Sequence, residues 1–151
     1  MNAADVEELL EELRVLITQP EIPGSHGNSV RIMSLHKSKG LTARLVIIAG
    51  CVAGILPTID FDLPLQEQDR QRQEQRRLFY VGITRSTETL VISSAASMRF
   101  SDAKQAGVSV VRRAGIGRNV AILQASEFIA ELGPDAPATT TSQQWRQLVH
   151  F

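Results

Sequence analysis

The chain has 151 residues, 43% hydrophobic and 21% charged, which suits one globular domain with a sizeable core and leaves little room for a second. Its 16 basic and 16 acidic side chains cancel, so no global field draws it to nucleic acid or a membrane, and any polyanion site has to be local. The single cysteine, Cys51, excludes an internal disulfide and fits a reducing compartment; it lies in an apolar run, where a buried structural thiol is expected. No apolar stretch reaches membrane-spanning length, and the first residues are acidic, unlike a secretory leader. The expected setting is the cytoplasm, with no membrane partner. His26, His36 and His150 have no ligand-like spacing, so no metal site is expected.

Residues 2–17 place Val6, Leu9, Leu10, Leu13, Leu16 and Ile17 on one helical stripe, with Glu7, Glu8, Glu11 and Glu12 elsewhere. Thr18-Gln19-Pro20 stops this helix, which packs on its own domain or on a part of a longer protein. Pro20 to Ser29 is loop. Val30 to Leu35 alternates enough to be a strand. Leu45 to Val52 is continuously apolar and β-branched, which predicts a central strand buried on both faces. Only residues 36–44 separate the two, so a one-turn crossover in a parallel sheet or a tight hairpin joins them.

Ala53 to Pro64 reads as loop. From Leu65 the chain is a polar run of helix formers, predicted to be solvated, that passes into the apolar segment Leu78 to Ile83. Continuity with the helix formers favours one helix, on which Leu78, Val81, Gly82 and Arg85 share a stripe and Gly82 permits close approach. Leu90 to Ser94 is a further strand, and the αβ alternation predicts a sheet covered by helices. Val108 to Arg113 and Asn119 to Leu123 suit a hairpin across Ala114-Gly115-Ile116-Gly117. Ser126 caps a short helix that ends at Gly133-Pro134. Residues 134–144 have the composition of a flexible linker, and Trp145 to Phe151 of a docking or disordered tail.

Two constellations carry chemistry. His36-Lys37-Ser38-Lys39-Gly40 follows the first predicted strand, and ligands gather at strand carboxyl ends in open α/β sheets. Two lysines, a hydroxyl, an imidazole and a glycine could cradle phosphate oxygens, although the same residues suit a solvated basic loop. Arg85 ends an apolar helical run, and arginine is seldom buried without an anion. That anion is either a ligand oxygen or a structural partner such as Glu88 or Asp60.

Ser34-Leu35-His36-Lys37-Ser38-Lys39-Gly40-Leu41 resembles motif V of the UvrD/Rep-type superfamily 1 DNA helicases, Thr-x-His-x-Ala/Ser-Lys-Gly-Leu. Arg76 to Arg85 resembles their motif VI, Arg-Arg-Leu-x-Tyr-Val-Ala/Gly-x-Thr-Arg. Val46 to Gly50, Gly54-Ile55-Leu56-Pro57 and Ser126 to Leu132 are similar to the segments that accompany them. The resemblance spans residues 30–132 and implies a RecA-like, three-layer α/β domain, present in part, with a mainly parallel sheet flanked by helices. It divides the chain into an N-terminal helix and linker (1–29), a motor-domain portion (30–133) and a flexible tail (134–151).

What the resemblance implies for function is specific. Arg85 is the catalytic arginine that reaches a nucleotide phosphate on the other motor domain, where such a group can supply about three to five decades in rate. Gly40, Thr42 and Arg85 fall at nucleotide-binding positions; Ser34, His36, Lys37, Ser38 and Lys39 fall at positions that contact single-stranded DNA and couple it to the nucleotide. Thr42 stands where the family has an acidic residue for the ribose, which weakens that contact. No Gly-x-x-x-x-Gly-Lys-Ser/Thr occurs, and no strand ends in an Asp-Glu pair for magnesium. The expectation is a C-terminal piece of an ATP-dependent 3′-to-5′ helicase, inactive alone, with ATP and magnesium held mainly by an absent first motor domain. The alternative is a non-catalytic module binding single strands or a partner protein. Self-association through an incomplete sheet edge is a further expectation.

Overall fold

The computed structural model describes residues 30–134 and 136–148; the predicted helix over residues 2–17 lies outside them. The first half is a βαβ unit. Strand β1 (Ala43–Ile48) leads through a loop to helix α1 (Leu65–Ile83) and returns as β2 (Ser86–Ile92), parallel to β1. The register pairs Leu45 with Thr89, Val46 with Leu90, Ile47 with Val91 and Ile48 with Ile92. Alternation then sends Val46, Ile48, Leu90 and Ile92 to one face, where they pack with Cys51, Leu56, Phe79, Ile83 and Phe128.

Helix α1 runs 19 residues without a break, as continuity of helix formers predicts. Its polar half does more than meet solvent. Gln68, Gln71 and Gln75, spaced along one face, hydrogen-bond the loop before the helix: the Gln68 amide donates to the Leu63 carbonyl at 2.8 Å, and the Gln71 and Gln75 side-chain oxygens accept from the Asp60 and Thr58 amides at 3.0 and 2.8 Å. A glutamine amide can satisfy a loop's backbone donors and acceptors alike, which a charged side chain cannot. At the apolar end the buried residues are Phe79 and Gly82, so the inward stripe is centred on those two rather than on Leu78 and Val81.

The second half is a three-stranded antiparallel sheet, order β3-β5-β4, from β3 (Ser97–Arg99), β4 (Val110–Ala114) and β5 (Val120–Leu123). Helix α2 (Phe100–Gln105) bridges β3 and β4. The hairpin of β4 and β5 turns through Gly115 to Gly117, as the sequence predicts; β3 and α2 were not anticipated. Val52, Ala103, Val108, Ala121 and Leu123 form a second small core. Helix α3 (Glu127–Ala130) starts where predicted, the Ser126 hydroxyl accepting from the Phe128 amide at 3.2 Å, and a short helix α4 (Ser142–Leu148) follows.

Residues 51–53 join the two cores. The Cys51 amide donates to Ser93, beyond β2, while its carbonyl accepts from Ser126; the Ala53 amide donates to Gln124, and its carbonyl accepts from Ser109, each at 2.9 Å. Cys51 is fully buried, and burial pushes its thiol up to about 11.

Three expectations are corrected. Val30 to Leu35 is not a strand: Val30 and Ile32 are 92% and 96% exposed, and the segment enters one 3₁₀ turn at His36–Ser38. Alternation alone does not make a strand where no neighbouring backbone offers hydrogen bonds, and among the described strands β1 pairs only with β2. β1 is buried on one face, with Leu45 and Ile47 54% and 60% exposed on the other. Nor is the described sheet mainly parallel: two strands pair in parallel and three antiparallel, giving a mixed α/β chain with two small sheets.

Two stability predictions follow from this packing. Gly54 has φ +92°, and a Cβ there would sit 2.6 Å from the Ser109 amide nitrogen and 2.7 Å from the Gly107 carbonyl oxygen, neither free to move. Gly54→Ala is expected to cost about 3 kcal/mol or more, read as a lower urea midpoint at unchanged slope. Because the folded state holds the Cys51 thiol neutral, the unfolded chain binds fewer protons above its ordinary range near 9.0; stability should fall as pH rises from there toward about 11, and Cys51→Ala should remove that slope.

Candidate functional site

The two motifs meet at the amino ends of β1 and β2. This corrects the expectation that the basic loop leaves the carboxyl end of a strand: it precedes β1 and, among the described residues, follows none. Within it, the Ser38 amide donates to the Ser34 carbonyl at 3.2 Å and the Ser38 hydroxyl to the Leu35 carbonyl at 2.6 Å. The Lys37 amide donates to the Ser34 hydroxyl at 3.4 Å, and Gly40 turns the chain at φ +83°. Both serine hydroxyls therefore help to fold the loop. His36, Lys37, Lys39 and Thr42 are exposed, and among the described residues neither lysine has an ion pair.

Helix α1 holds this loop through a missing side chain. A Cβ on Gly82 would lie 2.7 Å from Leu35 Cδ2 and 3.1 Å from Ile48 Cδ1, so Leu35 sits directly against the helix backbone. Three residues on, the Arg85 carbonyl accepts from the Ala43 amide at 2.9 Å, tying the end of one motif to the end of the other.

The Arg85 guanidinium is half-buried and held by its own helix: Nε donates to the Val81 carbonyl and Nη2 to the Thr84 hydroxyl, both at 3.0 Å. Neither suggested carboxylate reaches it. Glu88 pairs with Arg44 at 2.6 Å, and Asp60 accepts from the Asp62 amide. Among the described residues no acidic side chain pairs with Arg85, so an oriented, always-charged group keeps donors free for an anion from outside.

The other arginines of the motif differ. Arg76 makes two hydrogen bonds to Glu131, at 2.6 and 2.8 Å, with its guanidinium 5.5 Å from the Phe128 ring centroid. Arg72 bonds Asp69 and Glu127 at 2.9 and 3.0 Å. The pairs with Glu127 and Glu131 clamp α3 onto α1 and were invisible in the sequence, because those carboxylates lie 55 residues away. The Arg76 hydrogen bond is the main cause holding the Glu131 carboxyl below its usual range, and it raises Arg76 in turn. Among the described residues no group of three or more His, Cys, Asp or Glu side chains could hold a metal, and no helix is long and apolar enough to cross a membrane. A shallow depression of about 170 Å³ between Gly54, Phe61, Arg72 and Ser109 lies away from Arg85 and is lined by none of the predicted site residues.

Residues 2–97 match the model of the UvrD-like helicase C-terminal domain. The chain belongs to this family. Among curated relatives of this UvrD-like domain, a "Probable DNA helicase II homolog" of Rickettsia conorii is 33% identical over 98 residues, covering 63% of this chain and 14% of that protein. The "DNA helicase II" of Rickettsia typhi is 32% identical over 96 residues, with the same coverage. The "ATP-dependent DNA helicase PcrA" of Staphylococcus aureus is 40% identical over 70 residues, covering 46% and 9%. The match thus spans about a seventh or less of the length of these relatives.

Gly82→Val should lower stability by about 1–3 kcal/mol and speed amide hydrogen exchange over residues 35–41, since a branched side chain must displace Leu35. Gly82→Ala should do less, because Leu35 Cδ2 is the free end of a side chain. The Arg76–Glu131 contribution is present above the ordinary carboxylate range and lost as pH falls through the lowered value of Glu131; Glu131→Gln should flatten that part of an acid-denaturation curve.

Proposed function

We propose that this chain is part of the second, RecA-like motor domain of an ATP-dependent DNA helicase with 3′-to-5′ polarity, acting in the cytoplasm. In this reading residues 30–133 form the motor-domain portion, 1–29 an N-terminal helix and linker, and 134–151 a tail. The observation that carries it is the pairing of a carboxylate-free, helix-tethered Arg85 with a basic loop whose end hydrogen-bonds the Arg85 backbone. The names of the relatives support the helicase class.

Arg85 is the arginine finger: its free donors suit phosphate oxygens and would stabilise charge building up during phosphoryl transfer. His36, Lys37 and Lys39 present exposed groups to a single-strand backbone, while Ser34 and Ser38 shape the loop and leave its backbone to face the strand. Gly40 and Thr42 border the nucleotide side. The fit to a nucleotide is partial: the sequence holds no phosphate-binding loop, so ATP and magnesium would be bound mainly by a first motor domain supplied as a partner. The isolated chain neither hydrolyses ATP nor unwinds DNA in this reading.

Arg85→Ala in the full-length parent should lower DNA-stimulated ATP hydrolysis by about three decades or more while leaving nucleotide affinity nearly unchanged; undiminished hydrolysis overturns the assignment. Arg85→Lys should fail to restore the rate, because a single ammonium cannot reproduce the planar fork.

A second reading, a non-catalytic module binding single strands or a partner protein, is favoured by Thr42 at the usual acidic position. Its nucleic-acid role requires single-strand binding by the chain itself, with a shallow salt slope of about −2 from the two or three phosphate contacts of the loop, lost in Lys37→Ala/Lys39→Ala.

A further inference from the structure

The antiparallel sheet carries a charge imbalance that the chain as a whole hides. Between residues 94 and 125 the charged side chains are Arg99, Lys104, Arg112, Arg113 and Arg118 against Asp102 alone. All five cations are exposed, and among the described residues none is in an ion pair. This segment lies almost wholly beyond the family match, which ends at residue 97.

The register fixes where the charges point. Arg112 pairs with Ile122 and Arg99 with Val120, whereas Met98, Ala121 and Val110 turn inward to the second core. Arg99 and Arg112 therefore share the outer face, on opposite flanks of β5, roughly 12 Å apart from strand spacing and rise. Arg113 pairs with the inward Ala121 and so turns the other way: its guanidinium lies 3.7 Å from the Phe100 ring centroid, and its Nε donates to the Arg118 carbonyl at 2.8 Å. Arg118 itself sits in the turn at φ +52°.

We propose that the outer face of this sheet binds the phosphate backbone of a nucleic-acid duplex, without reading sequence. Arg99 and Arg112 on the outer face, with Arg118 in the adjoining turn, outnumber the charges of a single phosphate group and match a repeating polyanion. The outer face offers Val120, Ile122, Ala114 and Ser97 between the arginines and no aromatic ring; Phe100, the one aromatic of the segment, packs against the core. A single strand would need rings on which its unstacked bases could lie, so a duplex with its bases stacked inside is the better fit. The proposal is independent of the roles given to Arg85 and the basic loop.

The test uses the 151-residue chain and fluorescence anisotropy with a labelled duplex of about 20 base pairs, titrated at several salt concentrations. The expected log–log salt slope is about −3, and two duplexes of unrelated sequence should bind within about twofold of each other. Arg99→Ala/Arg112→Ala/Arg118→Ala should weaken duplex binding by about tenfold or more and make the slope shallower by about 2 to 3 units. These side chains are exposed, and an unchanged thermal melt would show that the fold is kept. Arg70→Ala, an exposed cation of α1 away from this sheet, should leave duplex affinity unchanged; because the readout is duplex binding by this chain and not ATP hydrolysis by the full-length parent, failure here is distinguishable from failure of the helicase reading. No duplex binding by the unaltered chain at low salt, or an unchanged slope in the triple variant, overturns the proposal. Equal binding of polyglutamate at matched charge also overturns it, in favour of an acidic-protein surface.

Discussion

The backbone of Cys51, Val52 and Ala53 is the constraint on which the remaining structure depends. Three consecutive residues give hydrogen bonds to the end of β2, to the cap of α3, to β5's exit and to the start of β4. Their side chains divide in the same way, Cys51 entering the core of the βαβ unit and Val52 the core of the antiparallel sheet. Two clusters of five buried residues are each small for an independent domain, and a shared, fully hydrogen-bonded segment makes them one cooperative body. The exclusion of water there is what raises the Cys51 thiol.

From that spine the candidate site is assembled by economy of volume. Gly82 has no side chain, so Leu35 can lie on α1, and the loop from His36 to Gly40 comes beside Arg85. Arg72 and Arg76 spend their charge on Glu127 and Glu131 and fix the opposite side of the helix against α3. One helix therefore presents two kinds of arginine, partnered ones that secure it and a carboxylate-free one at its end. Arg85 is oriented by carbonyl and hydroxyl groups, which align a guanidinium without neutralising it, and an aligned charge facing outward is what anion recognition needs. The basic antiparallel sheet uses a different device, setting its cations apart by strand spacing, which lessens their mutual repulsion, with no carboxylate paired to them among the described residues.

Much of this was legible beforehand. Helix α1, the hairpin and the Ser126 cap all followed from local pattern, because each is set by residues close in sequence. The burial of Cys51 followed from its apolar surroundings. The strand expected over Val30 to Leu35 did not form, since pairing needs a partner backbone and alternation says nothing about one. The two-sided burial expected of β1 failed for a related reason: apolarity shows what a strand could bury, and Leu45 and Ile47 have no covering element among the described residues. The pairing of Arg72 with Glu127 and of Arg76 with Glu131 could not be anticipated across 55 residues of chain.

The sequence by itself determined the family, through two motifs in order, and it determined that Arg85 was out of place as an ordinary buried residue. Motif spacing survives in one dimension because each motif is a continuous segment with its own turn or helix chemistry. Only the tertiary structure decided that Arg85 meets neither Glu88 nor Asp60, that the basic loop lies at the amino ends of the strands, and that Arg99 and Arg112 of a neutral chain share the outer face of one sheet. Charge pairing and charge clustering depend on distances between segments far apart in the chain, and those distances are set by the packing around Cys51 and Gly82.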